Sequence, residues 1–147
     1  MTTHVQTLDH GRIRELRLAR PPVNALDPAL CRALITTLDA AVADGVDAVV
    51  LSGAPGIFSA GLDVPHLMAL GQERQALHAG WGAFFGAARS LAALRIPVVA
   101  ALTGHAPAGG CVLSLCCDYR VMARSPNPAK PFMIGMNETQ VGLAVPA

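Results

Sequence analysis

Two short runs constrain this chain more than anything else in it: Ala48-Val49-Val50-Leu51 and Val98-Val99-Ala100-Ala101-Leu102 are apolar at every position. A strand facing solvent on one side alternates apolar and polar residues, whereas one covered on both faces does not, so both runs read as buried strands. Each follows a segment of helical period. After Asp27-Pro28, Leu30, Leu34, Leu38 and Val42 recur every four residues. The aspartate can cap free N–H groups, and proline takes a position where a missing N–H costs nothing. That helix is expected to end by Gly45. Leu77, Trp81, Phe84, Ala88 and Leu91 mark a second helix from about 73 to 94, weakened by Gly80, Gly82 and Gly86 and ended before Pro97.

Upstream, Val5 to Leu8 and Ile13 to Leu18 are β-like runs around Asp9-His10-Gly11, which reads as a hairpin turn, and Arg20-Pro21-Pro22 stops the second run. Downstream, Cys111 to Cys116 reads as a short buried helix and Tyr119 to Met122 as a further strand. Alternating β and α elements predict a layered α/β fold with a mostly parallel sheet, in one domain over residues 1–147 with no internal sequence repeat.

Composition removes several function classes. With 52% hydrophobic and 14% charged side chains the chain can bury a core, and a net charge of +1 gives no footprint for nucleic acid or an anionic membrane surface. Lys130, the only lysine, lies between Ala129 and Pro131, which excludes a phosphate-binding P-loop. Cys31, Cys111, Cys116 and Cys117 form no C-x-x-C pair and match no histidine spacing, so neither zinc nor a disulfide framework is expected. No secretory leader is legible at Met1-Thr-Thr-His-Val, and every apolar run is broken too early to span a bilayer. A cytoplasmic protein with reduced thiols is the expectation.

Two loops share one design. Phe58-Ser59-Ala60-Gly61-Leu62-Asp63 follows the first buried strand, and Gly104-His105-Ala106-Pro107-Ala108-Gly109-Gly110 follows the second. Ligands of open α/β sheets gather at the carboxyl ends of strands, and small residues let a ligand approach the main chain. A helix beginning at Gly109 or Gly110 would aim unpaired N–H groups there, and two N–H donors from separate loops would make an oxyanion hole. Taken singly, these glycines are better explained by tight turns. No nucleophile accompanies them: there is no G-x-S-x-G elbow, and neither Ser52 nor Ser59 has a histidine at a telling spacing.

Only Glu15, Glu73 and Glu138 could serve as a glutamate base. Glu15 alternates with Ile13 and Leu16 and is expected to face solvent. Glu73 begins a helix, where its charge suits the dipole. Glu138 follows the apolar stretch Phe132-Met133-Ile134, and apolar surroundings raise a carboxyl pKa toward the range of a general base. A surface glutamate would fit that position equally well, so Glu138 is the base by elimination, if there is one. Of the five histidines only His105 is near the proposed site, and a structural or solvent-facing role is the expectation for it. Asp63 and Asp118 read as structural, Asp63 as the cap of the helix after its loop.

Phe58-Ser59-Ala60-Gly61-Leu62-Asp63, Pro107-Ala108-Gly109-Gly110-Cys111 with Cys117-Asp118-Tyr119-Arg120, and Gly135-Met136-Asn137-Glu138-Thr139-Gln140-Val141-Gly142 resemble the crotonase superfamily of enoyl-CoA hydratases and isomerases. The last two blocks are most similar to its Δ3,Δ2-enoyl-CoA isomerase branch of fatty-acid β-oxidation, and Pro22-Val23-Asn24-Ala25-Leu26 fits the early segment. The resemblance implies a crotonase-like (ClpP/crotonase) α/β fold, a spiral core of ββα repeats. It also implies an oxyanion hole from the N–H groups of Leu62 and Gly109. The main chain around Val23 and along Ala60, Gly61, Leu62, Asp63 and Val64 would lie against the CoA moiety, with Asn137 beside the reacting acyl carbons. No cofactor is implied beyond the CoA of the substrate.

Hydratases of the family carry one glutamate just after Gly-Gly-Cys and a second in the block containing Glu138; here the first position is Val112. The resemblance therefore favours isomerisation with Glu138 as the single proton shuttle. A hydratase-like enzyme and a catalytically silent CoA-binding or assembly domain are the alternatives. Family members are considerably longer. The C-terminal helices that close their acyl pocket and build their trimers are expected to be missing from this sequence, and a homo-oligomer, trimer or hexamer, is implied by the resemblance alone.

Overall fold

The computed structural model describes residues 4–136. A hairpin opens the chain: β1 (Val5–His10) and β2 (Ile13–Leu18) pair antiparallel from Val5 opposite Leu18 to His10 opposite Ile13. The turn is therefore Gly11-Arg12, tighter than the sequence suggested, with Gly11 at φ +65. Asp9 and His10 stay in the ladder because Arg14 holds Asp9 at 2.7 Å and Glu15 holds His10 at 3.1 Å. Helix α1 (Pro28–Ala43) starts where expected, with the Asp27 carboxylate accepting the Leu30 N–H at 2.7 Å. Leu30, Leu34 and Leu38 are fully buried, each contributing about 1.5–3 kcal/mol. The last buried position is Ala41, and Val42 is exposed. A strict spacing of four drifts about 40° per step from a 3.6-residue turn, so the core face has passed to Ala41 by then.

Strand β3 (Ala48–Ser52) follows, then β4 (Gly56–Ile57), the six-residue helix α2 (Val64–Ala69) and the long α3 (Arg74–Ala92). Phe84, Ala88 and Leu91 of α3 are buried as the period predicts, whereas Trp81 is exposed and stacks on Phe85 instead. Gly86 lets α3 close on α1: a Cβ there would already touch Ile35 at 3.4 Å. The chain then runs through β5 (Val98–Leu102), β6 (Gly104–Pro107), α4 (Gly109–Leu115), β7 (Tyr119–Met122) and β8 (Ile134–Gly135). Asp118 is structural as expected, its carboxylate accepting the Val98 N–H at 2.7 Å.

The large sheet has the order β1-β2-β3-β5-β7, parallel except for the opening hairpin. Beside it stands a small parallel sheet in the order β4-β6-β8. Each of its strands follows one strand of the large sheet, so the backbone repeats a pattern that the residues do not. The repeat brings the carboxyl ends of β4, β6 and β8 side by side. Leu62 follows the first, Gly109 the second, and Asn137 and Glu138 come just after the third. Asn137 and Glu138 lie outside the described residues.

Candidate functional site

The first loop is built on a buried asparagine. Asn24, at φ 50, adopts the left-handed backbone that asparagine tolerates better than most residues. Its Nδ2 donates to the Phe58 carbonyl at 3.0 Å and its Oδ1 accepts the Arg20 N–H at 2.8 Å. The Ser59 hydroxyl donates to the Asn24 carbonyl at 2.8 Å and accepts the Gly61 N–H at 3.2 Å. A neighbouring bond, Ala60 N–H to the Val23 carbonyl at 2.9 Å, sets Val23 against the start of the 60–64 stretch. Ser59 is thus occupied by main chain, in agreement with its rejection as a nucleophile.

One further turn of the loop orients the first donor. The Leu26 N–H donates to the Gly61 carbonyl at 2.7 Å, and the Asp63 N–H donates to the Leu26 carbonyl at 3.1 Å, so Leu26 and Leu62 form a parallel bridge. In such a bridge the middle residue turns its own N–H away from the partner strand. No described group accepts a hydrogen bond from Leu62 N–H, while its carbonyl takes the Val64 N–H at 2.9 Å. Asp63 caps α2 as expected, accepting the His66 N–H at 2.9 Å.

The second donor comes from the start of α4. Gly109 is the first residue of that helix, where an N–H has no intrahelical acceptor, and no described group takes it. Ala108 just before it sits at φ 47, ψ −120, a strained conformation for a residue with a Cβ, costing on the order of 1–3 kcal/mol. It is clamped from both sides: its N–H donates to the Gly135 carbonyl at 2.9 Å and its carbonyl accepts Val112 N–H at 3.0 Å.

The two loops touch at their glycines. A Cβ on Gly61, which has φ +90, would lie 3.0 Å from both the Ala108 Cβ and the Gly109 nitrogen. A Cβ on Gly109 would lie 3.0 Å from Leu26 Cδ1, 3.2 Å from Phe84 Cε2 and 3.3 Å from Gly61 Cα. Gly61 is therefore glycine on two counts, its positive φ and the approach of the second loop's main chain, and Gly109 because Leu26, Phe84 and the Gly61 main chain leave no room for a Cβ. The result is two outward N–H groups, Leu62 and Gly109, beside an apolar wall of Leu26 and Phe84. Val112, on the next turn of α4, packs half-buried against the core and brings no charge to this wall.

Arg20 was not singled out from the sequence, yet it straps this region together. Its guanidinium donates to Asp63 at 2.6 Å and to the Ala25 carbonyl at 3.0 Å, and pairs with Asp27 at 3.1 Å. Burial pushes the Asp63 carboxyl up, but the His66 N–H and the Arg20 guanidinium outweigh it and hold the group below its ordinary range. A carboxyl with a lowered native pKa contributes stability above its unfolded value, about 4, and loses it as pH falls through the native value. Arg20→Met is expected to cost about 1.5–3 kcal/mol near neutrality, and to show a shallower loss of stability than the native chain between about pH 5 and 3. Urea midpoints across that range check both.

The other candidate bases are placed as follows. Glu15 does not face solvent: on β2, which has a strand on each side, its carboxylate accepts the Ser52 hydroxyl at 2.6 Å and pairs with Arg17 at 2.9 Å and His10 at 3.1 Å. The Ser52 hydrogen bond, with help from His10 and Arg17, lowers its pKa against the opposing effect of burial. A carboxylate so engaged is structural. Glu73 is the residue before α3, and its side chain makes no capping hydrogen bond. Burial pushes the Cys31 and Cys117 thiols up to about 12, which makes them poor nucleophiles. Among the described residues no group of His, Cys, Asp and Glu could hold a metal, and no helix is long and apolar enough to cross a membrane.

A spiral of strand-strand-helix units sets two main-chain N–H groups, without acceptors among the described residues, against an apolar wall, and the chain belongs to the enoyl-CoA hydratase/isomerase family, whose pattern matches residues 9–147. Among curated relatives, the chain is 35% identical over 144 residues to mouse mitochondrial enoyl-CoA delta isomerase 1, covering 97% of this chain and 48% of that protein. It is 34% identical over 123 residues to a probable enoyl-CoA hydratase of Rhizobium meliloti, covering 82% and 46%. The crystal structure of human mitochondrial delta3-delta2-enoyl-CoA isomerase superposes with a TM-score of 0.87 at 33% identity, over 97% of this chain and 55% of that one. The fold is thus crotonase-like, and the chain spans about half the length of the curated relatives it matches.

Proposed function

We propose that this chain acts on an acyl-CoA thioester and moves its double bond from C3 to C2. The observation that carries the reading is the pair of N–H groups of Leu62 and Gly109, without acceptors among the described residues and brought together by the Gly61 contact. They would hold the thioester oxygen as negative charge develops on it, a role in which losing one donor costs a factor of about 100 to 1,000 in rate. Glu138 takes the C2 proton. The C–H electrons form the enolate, and the resulting carboxylic acid then protonates C4, so that the C3=C4 bond becomes C2=C3 and the base is regenerated. No cofactor enters beyond the CoA of the substrate. Val23 and the main chain from Ala60 through Gly61, Leu62 and Asp63 to Val64 would follow the CoA moiety, with Asn137 beside the acyl carbons. A cytoplasmic homo-oligomer, trimer or hexamer, completes the proposal.

Val112 supports this reading over hydration, because hydration by the family's usual route needs a second carboxylate at that position. The similarity to a probable enoyl-CoA hydratase sustains a hydratase-like enzyme as the second reading. One assay separates them: the chain is given a 3-enoyl-CoA and, separately, a 2-enoyl-CoA, and double-bond migration and water addition are followed. Migration without hydration is the expected result. Hydration that survives Glu138→Gln would replace this reading with the second, and CoA binding without turnover would leave a silent binding domain.

A further inference from the structure

His105 touches all three segments that the proposed chemistry uses. It lies on β6, the middle strand of the small sheet, and its carbonyl accepts the N–H groups of Phe58 at 2.9 Å and Ser59 at 3.3 Å, at the root of the first loop. Four residues further on, its own strand delivers the Gly109 N–H. Its side chain turns the other way: Nδ1 accepts the Met133 N–H at 3.1 Å, and the ring sits edge-on to Phe132 with centroids 5.2 Å apart. A bare Nδ1 places the ring proton on Nε2.

The third segment has little else to hold it. β8 is two residues long, and its neighbours Met133 and Met136 are exposed, as is Ile134 within it. Beside the short parallel ladder of Ala106 with Ile134 and Pro107 with Gly135, main-chain bonds to this strand and its flank run from the Ala106 N–H to the Met133 carbonyl at 2.8 Å and from the Ala108 N–H to the Gly135 carbonyl at 2.9 Å. In a continued parallel ladder the Met133 N–H would go to a main-chain carbonyl of β6; the imidazole takes it instead. A strand this short and this exposed draws stability from few bonds, so each one carries a large share of its placement.

We propose that His105 is a positioning residue: through Met133 and Phe132 it seats on β6 the 132–136 segment, the stretch of sequence that leads into Glu138. The inference rests on Glu138 being the proton shuttle, and it needs no contact between His105 and substrate. His105→Phe keeps a ring against Phe132 and removes the acceptor. His105→Asn places an amide oxygen near the Nδ1 position and removes the ring.

Two readouts on the 147-residue chain test it. Amide exchange at Met133 should be about fivefold to tenfold faster in His105→Phe and within about threefold of the native rate in His105→Asn. Glu138-dependent exchange of the C2 proton of an acyl-CoA should lose about ten- to a hundredfold in kcat in His105→Phe, with KM within about twofold, and recover in His105→Asn. Equal Met133 exchange in the native chain and His105→Phe overturns the inference whatever the turnover. Unchanged kcat in His105→Phe, with Glu138 dependence intact, overturns it alone. No Glu138-dependent exchange in the native chain overturns the proposed function, and with it the catalytic half of this inference. A kcat that His105→Asn fails to recover, in a protein with native Met133 exchange, also counts against it.

Discussion

Glu138→Gln is expected to slow double-bond migration by about 100- to 10,000-fold with little change in KM. That is the range over which a positioned general base acts, and glutamine keeps the shape of the side chain while losing the lone-pair basicity. Binding should persist because the groups proposed to hold the thioester are main-chain N–H groups of Leu62 and Gly109, which the change does not touch. An unaltered rate would remove Glu138 from the chemistry. Neither alternative glutamate could replace it, since Glu15 is engaged by Ser52, Arg17 and His10 and Glu73 stands at the start of α3.

Gly104→Ala should have the largest effect on the fold itself. A Cβ there would lie 1.9 Å from the Gly56 carbonyl carbon, 2.0 Å from its oxygen and 2.3 Å from the Ile57 nitrogen. All three are backbone atoms of the paired strand β4, so no side chain can move aside, and β4 and β6 would have to separate. A loss above about 4 kcal/mol is expected, enough to leave the chain largely unfolded. Thermal or urea unfolding of the soluble fraction measures it, and a midpoint close to the native one would show that β4–β6 pairing is dispensable. Gly11→Ala, where a Cβ meets nothing within 4 Å, is the comparison: its positive φ alone is strained, with an expected cost of about 1 kcal/mol.

Much of the large sheet is legible in the residues because its strands carry their own signal. β2, β5 and β7 coincide with the runs read from the sequence, and α1 begins at its Asp27-Pro28 cap, since continuous apolar runs and a capped amphipathic helix are local patterns. The small sheet is not legible. β4 and β8 are two residues each and β6 is Gly-His-Ala-Pro, with no period to detect. They exist as strands only because segments about fifty and thirty residues apart supply one another's hydrogen bonds. The same holds for the polar frame of the site. Arg20 finds Asp63 and Asn24 finds Phe58 across more than thirty residues, and no spacing within either motif announces such a partner. Glu15 was misplaced for a related reason: alternation along β2 says which way its side chain points, but burial follows from the Ser52 hydroxyl of the neighbouring strand.

The residues by themselves determined the chemistry that is available: three glutamates, a valine at position 112, two small-residue loops and four cysteines in no C-x-x-C pair. These are matters of inventory, and no folding can add a carboxylate to α4. What only the tertiary structure decided is where the donors point. Leu62 N–H is turned outward by a bridge to Leu26, Gly109 N–H by the clamped backbone of Ala108, and the two meet because Gly61 and Gly109 let their main chains approach as no residue with a Cβ would. Main-chain N–H groups are present at nearly every position of every sequence, so the motifs could offer Leu62 and Gly109 as donors only by resemblance, while the direction of each N–H follows from the folded backbone around it.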